Sequence, residues 1–147
     1  MKDPQNILIS APDPLTRQEL VGRLEGQGYQ AMTVERGSDA LLAVAEGNVR
    51  LVILDISTQE PSGARTVEIL RKIRPRLPVI VLSGDHSVET GRQILQYGVL
   101  YYFLKPFDLE ELDQIVRIAL GPKQRFTVDI EQSASRAELG EEKGTVL

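Results

Sequence analysis

LVILD, residues 51–55, is apolar at four successive positions and closes on a carboxylate. A strand with one solvated face alternates apolar and polar residues. An unbroken run this short suits a strand covered on both faces of a parallel sheet. Four more nearly continuous apolar runs lie around it, at residues 7–9, 31–34, 79–82 and 100–104. Each is followed by a stretch of helical periodicity. Strict alternation of strand and helix implies right-handed crossovers and a doubly wound parallel α/β sheet. Two strand orders are common for that pattern, and periodicity alone leaves both open.

The helices have readable ends. Asp13 stands as N-cap ahead of Pro14, and Leu20, Val21 and Leu24 share one face before Gly26 or Gly28 stops the turn. The second helix begins near Ser38, turns Leu41, Leu42 and Ala45 inward and stops at Gly47. The third points Val67, Leu70 and Ile73 inward. Its end carries Arg71, Lys72 and Arg74, which suit a helix C-terminus, and Pro75 stops it. The fourth covers 88–97 and ends at Gly98. In the fifth, Asp108 and Glu111 have capping-box spacing ahead of Leu112, Ile115, Val116 and Ala119, and Gly121-Pro122 closes it. Residues 6–121 are therefore expected to form one domain. Residues 122–147 turn rich in Glu, Ser, Gly and Lys and read as a flexible tail or linker. Within them Phe126, Val128 and Ile130 alternate as a short edge strand would.

Composition narrows the function. A chain of 147 residues, 41% hydrophobic and 26% charged, is an ordinary globular length and mix. A net charge of −4 and a pI near 5.1 give no electrostatic footprint for direct nucleic-acid binding. Without cysteine there is no disulfide, thiolate metal site or thiol nucleophile. No apolar run approaches the roughly 18 residues of a membrane span. The N-terminus has no long apolar stretch of a secretory signal, so the expected setting is cytoplasmic.

In open α/β sheets, functional groups collect beyond the carboxyl ends of the strands. Asp13, Asp55, Ser83 and Lys105 fall there. A carboxylate can attack a phosphoryl group and form an acyl phosphate. A hydroxyl and an ammonium can hold the phosphoryl oxygens. Other chemistry finds little support. Gly26, Gly28, Gly37 and Gly47 open no helix at the spacing of a phosphate loop. The sole histidine, His86, reads as a loop residue without metal partners. Arg71, Lys72, Arg74 and Arg76 read as a solvated helix end. With no general-base constellation either, a small nucleotide-binding catalyst is the weakest reading.

Three strings in order carry a resemblance. LVILD is followed by Gly63 eight residues after Asp55, PVIVLSG holds Ser83, and YYFLKPFDLEEL holds Tyr102 and Lys105-Pro106. Over residues 6–120 the chain resembles the receiver domains of two-component response regulators. That resemblance implies a flavodoxin-like fold of order 2-1-3-4-5 and a signalling module rather than an enzyme. It makes Asp55 the phospho-acceptor, served by a sensor histidine kinase or phosphotransfer protein and read by a downstream protein effector. Ser83 and Lys105 would contact the phosphoryl oxygens, Ser83 and Tyr102 would act as the switch pair, and the Lys105–Pro106 bond would be cis. The face formed by the fourth helix, fifth strand and fifth helix would serve a homodimer or an effector.

The first strand departs from the family pattern. Receivers usually end it with two acidic residues that hold Mg²⁺ together with the acceptor, and here Ala11 and Pro12 stand at those positions. The remaining candidate ligands are Asp55, the backbone carbonyl of Ser57, and Asp13, for which helix capping is the competing role. Mg²⁺ binding is expected to be weak or absent, since this hard cation demands a tight shell of oxygens. Gln59, where the family often has proline, is expected to loosen the loop after Asp55. Leu100 and Tyr101 replace acidic residues, and one of the two is expected in the core and the other at the interface face. Two functions follow: a switch phosphorylated at Asp55, or a pseudo-receiver that works through protein contacts without phosphorylation.

Overall fold

Residues 6–121 are described by a computed structural model, in which strand and helix alternate throughout. The strands are β1 (Asn6–Ser10), β2 (Gln30–Val34), β3 (Leu51–Asp55), β4 (Val79–Ser83) and β5 (Tyr101–Leu104). The helices are α1 (Pro14–Glu25), α2 (Gly37–Ala45), α3 (Gly63–Ile73), α4 (Val88–Leu95) and α5 (Leu109–Leu120). All strands pair in parallel in the order β2-β1-β3-β4-β5, which resolves the two orders that periodicity left open. The tail at 122–147, with its suggested strand at Phe126, Val128 and Ile130, lies outside the described residues.

Strand alternation divides the core into two layers. Ile7, Ile9, Leu51, Ile53, Ile80 and Leu82 pack with Leu20 and Leu24 of α1 and Leu112 and Val116 of α5. Leu8, Val52, Leu54, Val79 and Val81 pack on the other side with Ala40, Val44, Val67, Leu70 and Ile94. Every residue of β3 and β4 is buried, as their unbroken apolar runs require. Each such aliphatic side chain contributes about 1.5–3 kcal/mol through burial. Among the described residues no helix is long and apolar enough to cross a membrane.

Three expectations are corrected. β2 pairs only with β1, and as an edge strand it leaves Met32 partly exposed instead of covered on both faces. In α2 the buried residues are Gly37, Ala40 and Val44, while Leu42 is 58% exposed and Ala45 also faces out. The cause lies at Gly37, where a β-carbon would stand 2.3 Å from Thr66 Oγ1. That backbone approach turns the small residues of α2 inward. In α3, Val67 and Leu70 are buried as expected, but Ile73 is 44% exposed. Leu77, just beyond the helix, is buried in the same core layer as Val67 and Leu70, and its carbonyl accepts from Arg71.

Capping follows the sequence with one change. The Asp13 carboxylate accepts from the N–H groups of Leu15 and Thr16, with Pro14 at the first helical position. Asp108 caps α5 by accepting from Glu110 N–H at 2.9 Å. Glu111 does not complete a capping box, because its carboxylate accepts from the Tyr101 hydroxyl at 2.7 Å. Between α1 and α5, Arg23 pairs with nearly buried Asp113 at 2.6 Å. Burial pushes the Asp113 pKa up, but Arg23 and Gln27, together with the charge of Arg117, outweigh it and hold it below the ordinary carboxylate value.

Candidate functional site at the carboxyl edge of the sheet

Parallel register brings the strand ends level. Ser10 pairs with Leu54, Asp55 with Leu82, and Ser83 with Leu104. Asp55 is the last residue of β3 and only 2% exposed. Its Oδ1 accepts from the Ser57 N–H at 2.9 Å and from the Ser57 hydroxyl at 2.6 Å. Its Oδ2 meets Lys105 Nζ at 2.5 Å. The lysine is anchored in turn by its own N–H, which donates to the Ser83 carbonyl. The Lys105–Pro106 peptide is cis, as the resemblance implied.

Ser83 lies beside this pair on the next strand but turns away from it. Its buried hydroxyl accepts from Asp85 N–H at 2.9 Å and sits 3.2 Å from the Asp85 carbonyl. The Tyr102 hydroxyl donates to the same carbonyl at 3.4 Å. Asp55 and Lys105 therefore meet directly, whereas Ser83 and Tyr102 converge on Asp85.

The positions at the end of β1 offer no acid. Ala11 is buried, and neither its side chain nor that of Pro12 carries an oxygen. Arg17 closes over both, with Nη1 donating to the carbonyls of Ala11 at 2.6 Å and Pro12 at 3.1 Å. Asp13 spends its carboxylate on capping. Its pKa is lowered, first by the Thr16 hydroxyl, then by the helix N–H groups and the charge of Lys105. The Ser57 carbonyl accepts from Gln59 Nε2 at 3.4 Å. Among the described residues no group of three or more His, Asp or Glu is placed to hold a metal ion. Asp55, already bonded on both oxygens, is the one side-chain carboxylate left for a Mg²⁺ shell that the family pattern fills with three.

Several contributors carried no sequence signal. Nothing in its spacing marks Arg17, which lies in the first turn of α1. Thr58, fully buried, bonds to the side chain and carbonyl of Ser10 and ties β3 to β1. The His86 ring bonds through Nε2 to the Lys105 carbonyl at 2.9 Å. Gln59 stands in a loop held by main-chain bonds. Its carbonyl accepts from Gly37 N–H at 2.9 Å, and that of Glu60 accepts from Ser38 N–H at 2.8 Å. The loop after Asp55 is thereby fastened to the start of α2.

On the outer face of α4 and β5 an open groove of about 680 Å³ is lined by Val88, Gly91, Leu95, Tyr102 and Leu104 among others. Alternation puts Tyr102 and Leu104 there. Tyr101 faces the other way, onto Phe103 at 4.5 Å and onto Glu111, which makes it the core member of the Leu100–Tyr101 pair. Leu100 precedes β5 and stays 38% exposed, but it does not line the groove.

The model of the response regulator receiver domain family matches residues 7–117. The chain belongs to this family. This receiver is 32% identical over 117 residues to the transcriptional regulatory protein ZraR of Salmonella typhimurium, covering 80% of the chain and 26% of that protein. It is 34% identical over 125 residues to the transcriptional regulatory protein YkoG of Bacillus subtilis, covering 85% of the chain and 55% of that protein. It thus spans about a quarter to a half of the length of these curated relatives. A response regulator receiver protein from Pseudomonas putida superposes with a TM-score of 0.75 at 28% identity, covering 80% of this chain and 99% of that one.

Proposed function

We propose that this receiver signals through protein contacts, with phosphoryl transfer to Asp55 slow or absent. The observation that carries this reading is the end of β1, where Ala11 and Pro12 stand in place of acids and Arg17 occupies their carbonyls. Phosphoryl transfer rests mostly on positioning and charge neutralisation, so a site with weak or no Mg²⁺ binding loses most of its rate. A dianionic donor would meet Asp55 with Lys105 already paired and with Arg17 engaged by the carbonyls of Ala11 and Pro12. The groove on α4 and β5 is the surface on which a downstream effector or a second copy would dock. Its exposed Val88, Leu95 and Leu104 suit an interface core.

The second reading is a phospho-acceptor at Asp55, served by a histidine kinase or phosphotransfer protein. It is favoured by the shared Asp85 carbonyl, which joins Ser83 and Tyr102 as a switch pair needs. Intact mass measurement after incubation with Mg²⁺ and a small acyl phosphate separates the two. The contact reading expects no adduct, or one that accumulates only slowly. Rapid, near-complete phosphorylation of the wild type that disappears in Asp55→Asn would overturn it.

A further inference from the structure

We infer that Asp85 is a positioning residue that latches the two switch hydroxyls to the first turn of α4. The inference does not depend on whether Asp55 is phosphorylated. Asp85 works from two sides. Its main-chain groups hold Ser83 Oγ through both N–H and carbonyl, and the same carbonyl takes the Tyr102 hydroxyl. Its carboxylate reaches forward into α4, with Oδ1 accepting from Ser87 N–H at 2.9 Å and Oδ2 from the Thr90 hydroxyl at 2.7 Å. Ser87, the N-cap of α4, bonds to Thr90 as well, through both the N–H and the hydroxyl of that residue.

The carboxylate thus fixes the orientation of the Asp85 peptide group, and that orientation decides whether one carbonyl serves both hydroxyls. The Tyr102 ring also rests on α4, where a β-carbon at Gly91 would lie 3.4 Å from Tyr102 Cε2. Helix, ring and loop therefore share a single restraint. With the latch closed, α4 and Tyr102 hold the shape of the outer groove. With it open, the Ser83 hydroxyl and the Tyr102 ring are released together and the groove changes shape.

Hydrogen–deuterium exchange of the full chain, with NMR of the Tyr102 ring, tests this. Asp85→Ala and Thr90→Val should each speed amide exchange in residues 87–98 by at least tenfold and shift the Tyr102 ring signals. Glu89→Ala, an exposed acid in the same turn, should do neither. Faster helix exchange with an unmoved Tyr102 would reduce Asp85 to a capping residue and overturn the latch, as would no change in either variant. Should Asp85→Ala loosen β3 and β4 as well, Thr90→Val alone decides. It supports the latch if the helix and Tyr102 respond together and overturns it if either stays still.

Discussion

Arg17 donates through Nη1 to the carbonyl of Ala11 at 2.6 Å, so a cation covers the strand end where the family pattern has acids. Restoring those acids should restore the ion. In the wild type, millimolar Mg²⁺ is expected to leave the melting temperature unchanged. In the double variant Ala11→Asp, Pro12→Asp, Mg²⁺ at tenfold its Kd should stabilise the fold by about 1.4 kcal/mol, because a ligand of the native state alone raises stability. Thermal melts with and without the ion check both arms.

Asp55→Asn should destabilise this receiver. Where three carboxylates crowd together, neutralising one relieves repulsion. Here the nearest partners of Asp55 are Ser57 and Lys105, and both attract it. Breaking a fully buried pair costs about 3–5 kcal/mol, and with Lys105 partly exposed a loss of about 1–3 kcal/mol is expected. Urea unfolding measures it. In the Ala11→Asp, Pro12→Asp background the same substitution should reverse sign in the absence of Mg²⁺.

Asp113 should make stability fall in acid. Its folded pKa lies below the ordinary value of 3.8 despite burial, because Arg23 and Gln27 hold the charged form. The unfolded chain therefore takes up the proton first. The stabilisation is complete above the ordinary value and is lost as pH falls through the folded one. Asp113→Asn should flatten the pH dependence of unfolding below about pH 4. At pH 7 it should remove charge-assisted hydrogen bonds worth about 1.5–3 kcal/mol.

Two glycines should respond in opposite directions to alanine. A β-carbon at Gly37 would lie 2.3 Å from Thr66 Oγ1 and 2.8 Å from the Pro61 carbonyl, so Gly37→Ala should cost about 1–3 kcal/mol through overpacking. At Gly22, within α1, a β-carbon meets nothing within 4 Å. Gly22→Ala should stabilise by about 0.5–1 kcal/mol through helix propensity. Chemical denaturation of the two variants side by side is sufficient.

What the chain spells out directly is the part of the fold that burial dictates. β3 and β4 are covered on both faces, so their residues are apolar without interruption. Asp13 and Asp108 cap helices by side-chain bonds to N–H groups a few positions ahead, a local rule that spacing reveals. The face of α2 was misread because ALLAVA is apolar all round. Its rotation is set from outside, by the close backbone approach at Gly37. The site divides the same way. Asp55 and Lys105 were legible because strand order and strand ends bring them together. The bonds of Arg17 to the carbonyls of Ala11 and Pro12, and of Ser83 and Tyr102 to that of Asp85, were not, because main-chain carbonyls leave no residue pattern to read.

The fastening of Gln59 and Glu60 to the first amides of α2 has a mechanical consequence. The loop beyond Asp55 and the helix next to the β2 edge form one lever arm. Displacing α2 would therefore pull on the loop that begins at Asp55.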